Sequence, residues 1–171
     1  MATVTFQGTP CRLAGELPAV GAAAPPFRLT ASDLSDLTLD HFAGHVKLLN
    51  IVPSLDTSVC AASARRFHEA LAKFPGVVLL NISADLPFAQ KRFCDAGGLG
   101  RIVPLSTFRS PAFGEDYGVR IEEGPLAGLM ARAVVVLSRH DRVQYVELVP
   151  ELTQEPDYDA ALAAVQAATR V

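Results

Sequence analysis

Apolar runs and apolar stripes alternate along this chain, and their spacing lays out a fold before any single residue is considered. Val77–Ser83 is a near-continuous apolar run, as in a strand buried on both faces, and residues 46–52 form a second strand-like run. Between them Phe67, Leu71 and Phe74 fall at i, i+4, i+7, which predicts a helix from about 60 to 73, ended by Pro75-Gly76. After the second run, Asp85 is placed to cap a helix with Pro87 in its first turn. Leu86, Ala89, Phe93 and Ala96 would form its inward stripe, and Gly97-Gly98 would stop it. Residues 104–108, 133–137 and 143–149 read as further strands. Asp157 opens a last helix with Tyr158, Ala161, Leu162 and Val165 facing in. Near the N-terminus, residues 3–6 and 10–13 around Gln7-Gly8-Thr9 predict a small hairpin. Residues 27–30 read as a short strand, and Leu37, Leu39 and Phe42 lead through Ala43-Gly44-His45 into the strand at 46. Strands alternating with helices predict an α/β protein with a mixed sheet flanked by helices.

Length and charge narrow the classes. The 171 residues suffice for one domain with a full core, and neither repeat nor linker divides them. A net charge of −3 with scattered basic residues gives no footprint for nucleic acid or an anionic membrane. No stretch reaches the roughly 18–20 apolar residues of a membrane span, and no basic segment followed by an apolar one opens the chain. The expectation is a soluble, cytoplasmic protein. In that compartment structural disulfides are rare, so cysteines tend to be catalytic, metal-binding or merely buried. Cys11, Cys60 and Cys94 include no Cys-x-x-Cys pair, and His41, His45, His68 and His140 stand at unrelated spacings, so no zinc site is expected.

The chemistry centres on Pro53-Ser54-Leu55-Asp56-Thr57-Ser58-Val59-Cys60. This octapeptide follows a strand and opens a helix. The first-turn N–H groups and the helix dipole therefore point toward the sulfur of Cys60, and both favour a thiolate, the reactive form. Thr57, three residues earlier, can bring its hydroxyl close to that sulfur, and Pro53 suits a loop that shields a site from water.

The octapeptide resembles the peroxidatic-cysteine motif of peroxiredoxins. Gln7-Gly8, residues 33–36, Leu49-Asn50-Ile51, Cys60-Ala61-Ala62-Ser63, residues 82–90, Arg92-Phe93-Cys94, residues 105–109, 131–136 and 155–158 all resemble the bacterial thiol peroxidase subfamily, so the likeness covers nearly the whole chain. It implies a thioredoxin-like fold over residues 1–171 as a single domain, with 1–20 as an N-terminal hairpin extension. It implies an atypical two-cysteine peroxidase acting on organic hydroperoxides and hydrogen peroxide. In that scheme Cys60 is the peroxidatic nucleophile, and Cys94 resolves its sulfenic acid as an intramolecular disulfide. Arg132 is the active-site cation, Thr57 orients the peroxide and Pro53 shields the sulfur. Thioredoxin would be the reductant, no metal or flavin is implied, and a homodimer is expected, with residues 56–58 and 109–113 near its interface. Phe42, Leu126 and Met130 are candidates to line a groove for bulky hydroperoxides.

Cys11 matches no part of the family pattern and reads as structural. A thiol–disulfide oxidoreductase is disfavoured by the missing Cys-x-x-Cys pair, whereas a peroxide sensor or relay would use the same Cys60. Because Cys60 begins one predicted helix and Cys94 lies inside another, a disulfide between them requires the second helix to unwind around Cys94.

Overall fold

The computed structural model describes residues 2–170. Its framework is a mixed sheet in the order β4-β3-β7-β6-β5-β8-β9, with a separate hairpin, β1 (Thr3–Phe6) and β2 (Thr9–Arg12), at the N-terminus. Three strands in the middle are parallel: β5 (Val46–Ile51), β6 (Val77–Ser83) and β7 (Ile102–Ser106). Each parallel step is bridged by a helix, α1 (Ser58–Ala70) between β5 and β6, and α2 (Pro87–Gly97) between β6 and β7. Antiparallel strands extend the sheet on both sides, β3 (Arg28–Thr30) and β4 (Asp36–Thr38) on one, β8 (Ala133–Leu137) and β9 (Val143–Leu148) on the other. A short α3 (Ala112–Asp116) and a C-terminal α4 (Tyr158–Thr169) complete it.

The two-residue period of the strands divides the core in two. Val46, Leu48, Val52, Leu79, Val134 and Val136 pack with Cys60, Ala64 and Phe67 of α1, Cys94 of α2, and Ala161 and Val165 of α4. Leu49, Ile51, Leu80, Ile82, Val135 and Leu137 pack instead with Val4 and Cys11 of the hairpin, Phe27, and Phe113 of α3. A polar cross-tie runs through the first half. Asn50 and Asn81 stand opposite each other in the β5–β6 register, and Asn50 Nδ2 donates to Asn81 Oδ1 at 2.8 Å and to Ser63 Oγ of α1 at 3.3 Å. The run at 46–52 also holds a charge: Lys47 is fully buried and paired with Asp141. Its partner is what makes a lysine tolerable in a strand buried at every position.

Element order follows the hydrophobic pattern, with corrections. The first helix starts at Ser58, two residues before the expected 60, because Thr57 takes extended φ/ψ of −95°/147° and serves as N-cap. The stripe on α2 is rotated from the one expected: Pro87, Gln90 and Cys94 face in, while Leu86 is 52% exposed and Ala96 is exposed. Gln90 turns inward because its Nε2 donates to Ser83 Oγ and to the Leu105 carbonyl, each at 3.0 Å. Asp85 does not cap α2; Leu86 occupies that position, and the Asp85 carboxylate points elsewhere. Asp157 does cap α4, accepting from the Ala160 amide at 3.0 Å. Phe42 and Met130 lie in the core rather than along a groove.

Candidate active site

The octapeptide forms the loop between β5 and α1. Ser54 is its pivot. The Ser54 carbonyl accepts from Thr57 Oγ1 at 3.0 Å and from the Thr57 amide at 3.2 Å, while Ser54 Oγ accepts from the Asp56 amide at 3.1 Å and donates to Asp85 Oδ1 at 2.7 Å. The other Asp85 oxygen accepts from the Leu55 amide at 2.8 Å and from Ser83 Oγ at 2.7 Å. One carboxylate, at the joint between β6 and α2, thus fixes the loop that opens α1. Thr57 spends its hydroxyl hydrogen on Ser54, so its oxygen keeps lone pairs to accept from an incoming O–H.

Pro53, Thr57 and Arg132 come together on one cavity of about 200 Å³. Its remaining wall is mostly apolar, with Phe6 from the hairpin, Val59, Leu126, Leu129 and Leu152. Of the three residues expected to line a groove, only Leu126 does so. Cys60 follows Val59 in the first turn of α1 and is fully buried. In that turn the backbone N–H groups have no acceptor within the helix.

Arg132 precedes β8 and is only 2% exposed. Its Nε and Nη2 both donate to the Leu152 carbonyl, at 3.2 and 2.8 Å. Its Nη1 has no protein partner among the described residues. A buried guanidinium with an unspent donor, on the wall of an apolar cavity, is suited to an anion or to a reaction that develops negative charge. Arg109, by contrast, is a surface residue, its Nη2 bonded to Asp36 and to the Leu34 carbonyl at 2.8 Å each.

Cys94 does not reach the cavity. It is 8% exposed on α2, in the same apolar cluster as Cys60. Burial, aided by neighbouring Asp95, pushes its thiol up to about 11, so it is protonated where it sits. All three cysteines are free thiols. Cys11 lies in the cluster on the opposite face of the sheet and touches the Thr9 carbonyl at 3.6 Å, in keeping with a structural reading. Three supports of the site escape sequence reasoning: Asp85 reads only as a helix cap, Ser54 only as a member of the octapeptide, and Leu152 acts through its backbone carbonyl, which carries no side-chain signal.

Fold and cavity together set a buried cysteine in the first turn of a helix, next to a pocket lined by a buried arginine. Comparison with known proteins gives the class. The redoxin family model matches residues 19–162. Thiol peroxidases of Mycobacterium bovis and Mycobacterium tuberculosis are 54% identical over 167 residues, covering 98% of this chain and 100% of theirs. Among solved structures, a peroxiredoxin-like protein from Aquifex aeolicus is 40% identical with a TM-score of 0.91, covering 98% of this chain and 97% of that one. A thiol peroxidase from Chromobacterium violaceum is 27% identical, with the same TM-score and coverage. The chain belongs to the redoxin family, among its thiol peroxidases, and has their thioredoxin-like peroxiredoxin fold with an N-terminal hairpin.

Proposed function

We propose that this peroxidase works through Cys60 and Cys94 in a single-chain, two-cysteine cycle. The Cys60 thiolate attacks the terminal oxygen of a hydroperoxide. The O–O bond breaks, the alcohol or water leaves with the second oxygen, and Cys60 becomes a sulfenic acid. Cys94 sulfur then attacks Cys60 sulfur, hydroxide leaves as water, and a disulfide remains. Thioredoxin returns two electrons by thiol–disulfide exchange, so sulfur carries the whole oxidation and the cycle uses no metal or flavin. Thr57 accepts the hydroperoxide O–H, Arg132 stabilises the anionic sulfur and the charge on the departing oxygen, and Pro53 walls the sulfur off from water.

One observation carries this reading: Pro53, Thr57 and Arg132, whose buried Nη1 is unspent, line one cavity against the turn that holds Cys60. The apolar wall favours hydroperoxides with alkyl or aryl groups, with hydrogen peroxide as the small substrate. Resolution requires motion, because α2 is intact from Pro87 to Gly97 with Cys94 buried inside it. The left-handed Gly98, φ 64°, closes a helix end that can loosen without steric cost. A homodimer through the face bearing residues 56–58 and 109–113 is supported by large exposed apolar side chains, Leu86 and Phe88 at the start of α2 and Phe108 next to Arg109, 52, 66 and 45% exposed. Residues 1–171 form the one domain of this reading, and the cytoplasm is its compartment. No helix among the described residues is long and apolar enough to cross a membrane.

A peroxidase assay coupled to thioredoxin and its reductase tests the proposal. Cys60→Ser should abolish turnover. Cys94→Ser should reduce about one equivalent of peroxide and then stop. Sustained turnover by Cys60→Ser overturns the reading.

A further inference from the structure

Arg132 is held by a segment that also lines the cavity and that the N-terminal hairpin holds in turn. The Leu152 carbonyl that receives both Nε and Nη2 belongs to an irregular stretch after β9, with no ladder of its own. The stretch is bracketed by β1 instead. The Thr5 amide donates to the Pro150 carbonyl and the Leu152 amide donates to the Thr5 carbonyl, each at 2.8 Å. Glu151 fastens the same junction with its side chain. One carboxylate oxygen accepts from Thr5 Oγ1 and from the Gly8 amide in the hairpin turn, both at 2.9 Å. The other accepts from the Thr153 amide at 2.9 Å and Thr153 Oγ1 at 2.8 Å. These four donors keep Glu151 ionised down to about 2.

We infer that Glu151 is a positioning residue for the peroxide step, tying the hairpin turn to residues 150–153 so that the Leu152 carbonyl fixes the Arg132 fork with Nη1 left for the reacting oxygens. The inference rests on the proposed role of Arg132 and extends it. A guanidinium bound through two of its nitrogens to one carbonyl turns with that carbonyl, so any freedom in the Leu152 peptide becomes freedom of Nη1. The same clamp seats Phe6, at the end of β1, in the cavity wall. On this view the hairpin belongs to the catalytic apparatus as well as to the core.

The test uses the full chain and separates the two half-reactions, peroxide reduction by the reduced enzyme and disulfide reduction by thioredoxin. Glu151→Gln keeps one acceptor oxygen but turns an NH₂ group toward two of the four donors. Its rate constant for peroxide should fall about 10-fold, the scale at which loosening a charge-assisted anchor misplaces a reacting group. The thioredoxin half-reaction should stay within about twofold, since nothing in the clamp touches Cys94. Thr5→Val, which removes one donor and keeps shape and backbone bonds, should give a smaller loss of about 2–5-fold in the peroxide step alone; it serves if Glu151→Gln folds poorly. In an Arg132→Lys background, Glu151→Gln should add less than about twofold. Equal losses in both half-reactions, no loss in the peroxide step, or a full additive loss on Arg132→Lys would each overturn the inference. If Arg132→Lys itself leaves the peroxide step unchanged, the proposed role of Arg132 fails first, and the two failures are told apart.

Discussion

Replacing Arg132 separates charge from geometry at this site. Its Nε and Nη2 donate to the Leu152 carbonyl at 3.2 and 2.8 Å, its Nη1 is unspent, and the residue lines the cavity. Arg132→Lys keeps the positive charge but offers one nitrogen, which must choose between the carbonyl and the cavity. Arg132→Met removes charge and donors while filling similar volume. A preorganised donor aimed at developing negative charge is worth about 10²–10³ in rate, or roughly 3–4 kcal/mol, so Arg132→Met should lose that much in the peroxide step. Arg132→Lys should lose about 10–100-fold, because charge survives while the fork does not. Both variants leave the buried Leu152 oxygen short of its donors, which costs about 1–3 kcal/mol of stability, so a thermal melt must confirm folding at the assay temperature. The assay is a stopped-flow single turnover of the reduced enzyme against an alkyl hydroperoxide, followed to sulfenic acid. A rate for Arg132→Met within about threefold of the parent would refute the role of the cation; a parental rate for Arg132→Lys would show that net charge alone matters and that the fork is irrelevant.

Four further outcomes follow from the same geometry. Asp85→Asn presents an NH₂ group where Ser54 Oγ or the Leu55 amide now donates, so it should cost about 1–3 kcal/mol in thermal unfolding and slow the peroxide step, and a parental rate would show that the loop needs no anchor. In a Cys60→Ser background Cys94, at about 11, is about one part in a thousand thiolate at pH 8, so its alkylation should rise about tenfold per pH unit toward 11; fast modification at pH 8 would contradict its burial. Because the folded thiol holds its proton more tightly than the unfolded one, its contribution to stability is full below about 9 and is lost as pH rises toward 11; Glu151, held at about 2, acts oppositely, its contribution being full above about 4.5 and lost as pH falls toward 2, so Glu151→Gln should flatten the acid limb of a plot of Tm against pH. Leu126→Gln should lower kcat/KM for a bulky alkyl hydroperoxide about 10-fold and leave hydrogen peroxide nearly unchanged, and equal losses for both would argue against an apolar substrate wall.

What the residues disclosed and what they hid divide along physical lines. Apolar runs predicted β6 and β8 to the residue, because both strands lie inside the sheet and even the polar Asn81 and Ser83 of β6 are buried with their neighbours. The hairpin, the short strand β3 and α4 followed from turn residues, alternation and a true aspartate cap, whereas β4 read only as a lead-in to β5. The stripe on α2 came out rotated because Gln90, polar by type, is buried by its hydrogen bonds, while Leu86 points outward at a helix N-cap. Lys47 hid in an apolar run for a similar reason, since its partner Asp141 lies 94 residues away. α3 is too short for any periodicity to announce it. Pro53, Thr57 and Cys60 were legible as one segment, and Arg132 through family resemblance. The supports around them were not: Asp85 reaches back 31 residues to Ser54, and Leu152 holds Arg132 through an atom that every residue carries.

The pairing of the sulfurs is tested most directly by giving the reduced protein one equivalent of hydroperoxide and mapping its disulfide-linked peptides by mass spectrometry. The expected outcome is a loss of two mass units and one linked pair joining the peptide of Cys60 to that of Cys94, with Cys11, on the other face of the sheet, still a free thiol. A bridge that includes Cys11, or an oxidised Cys60 that Cys94 never captures, would contradict it.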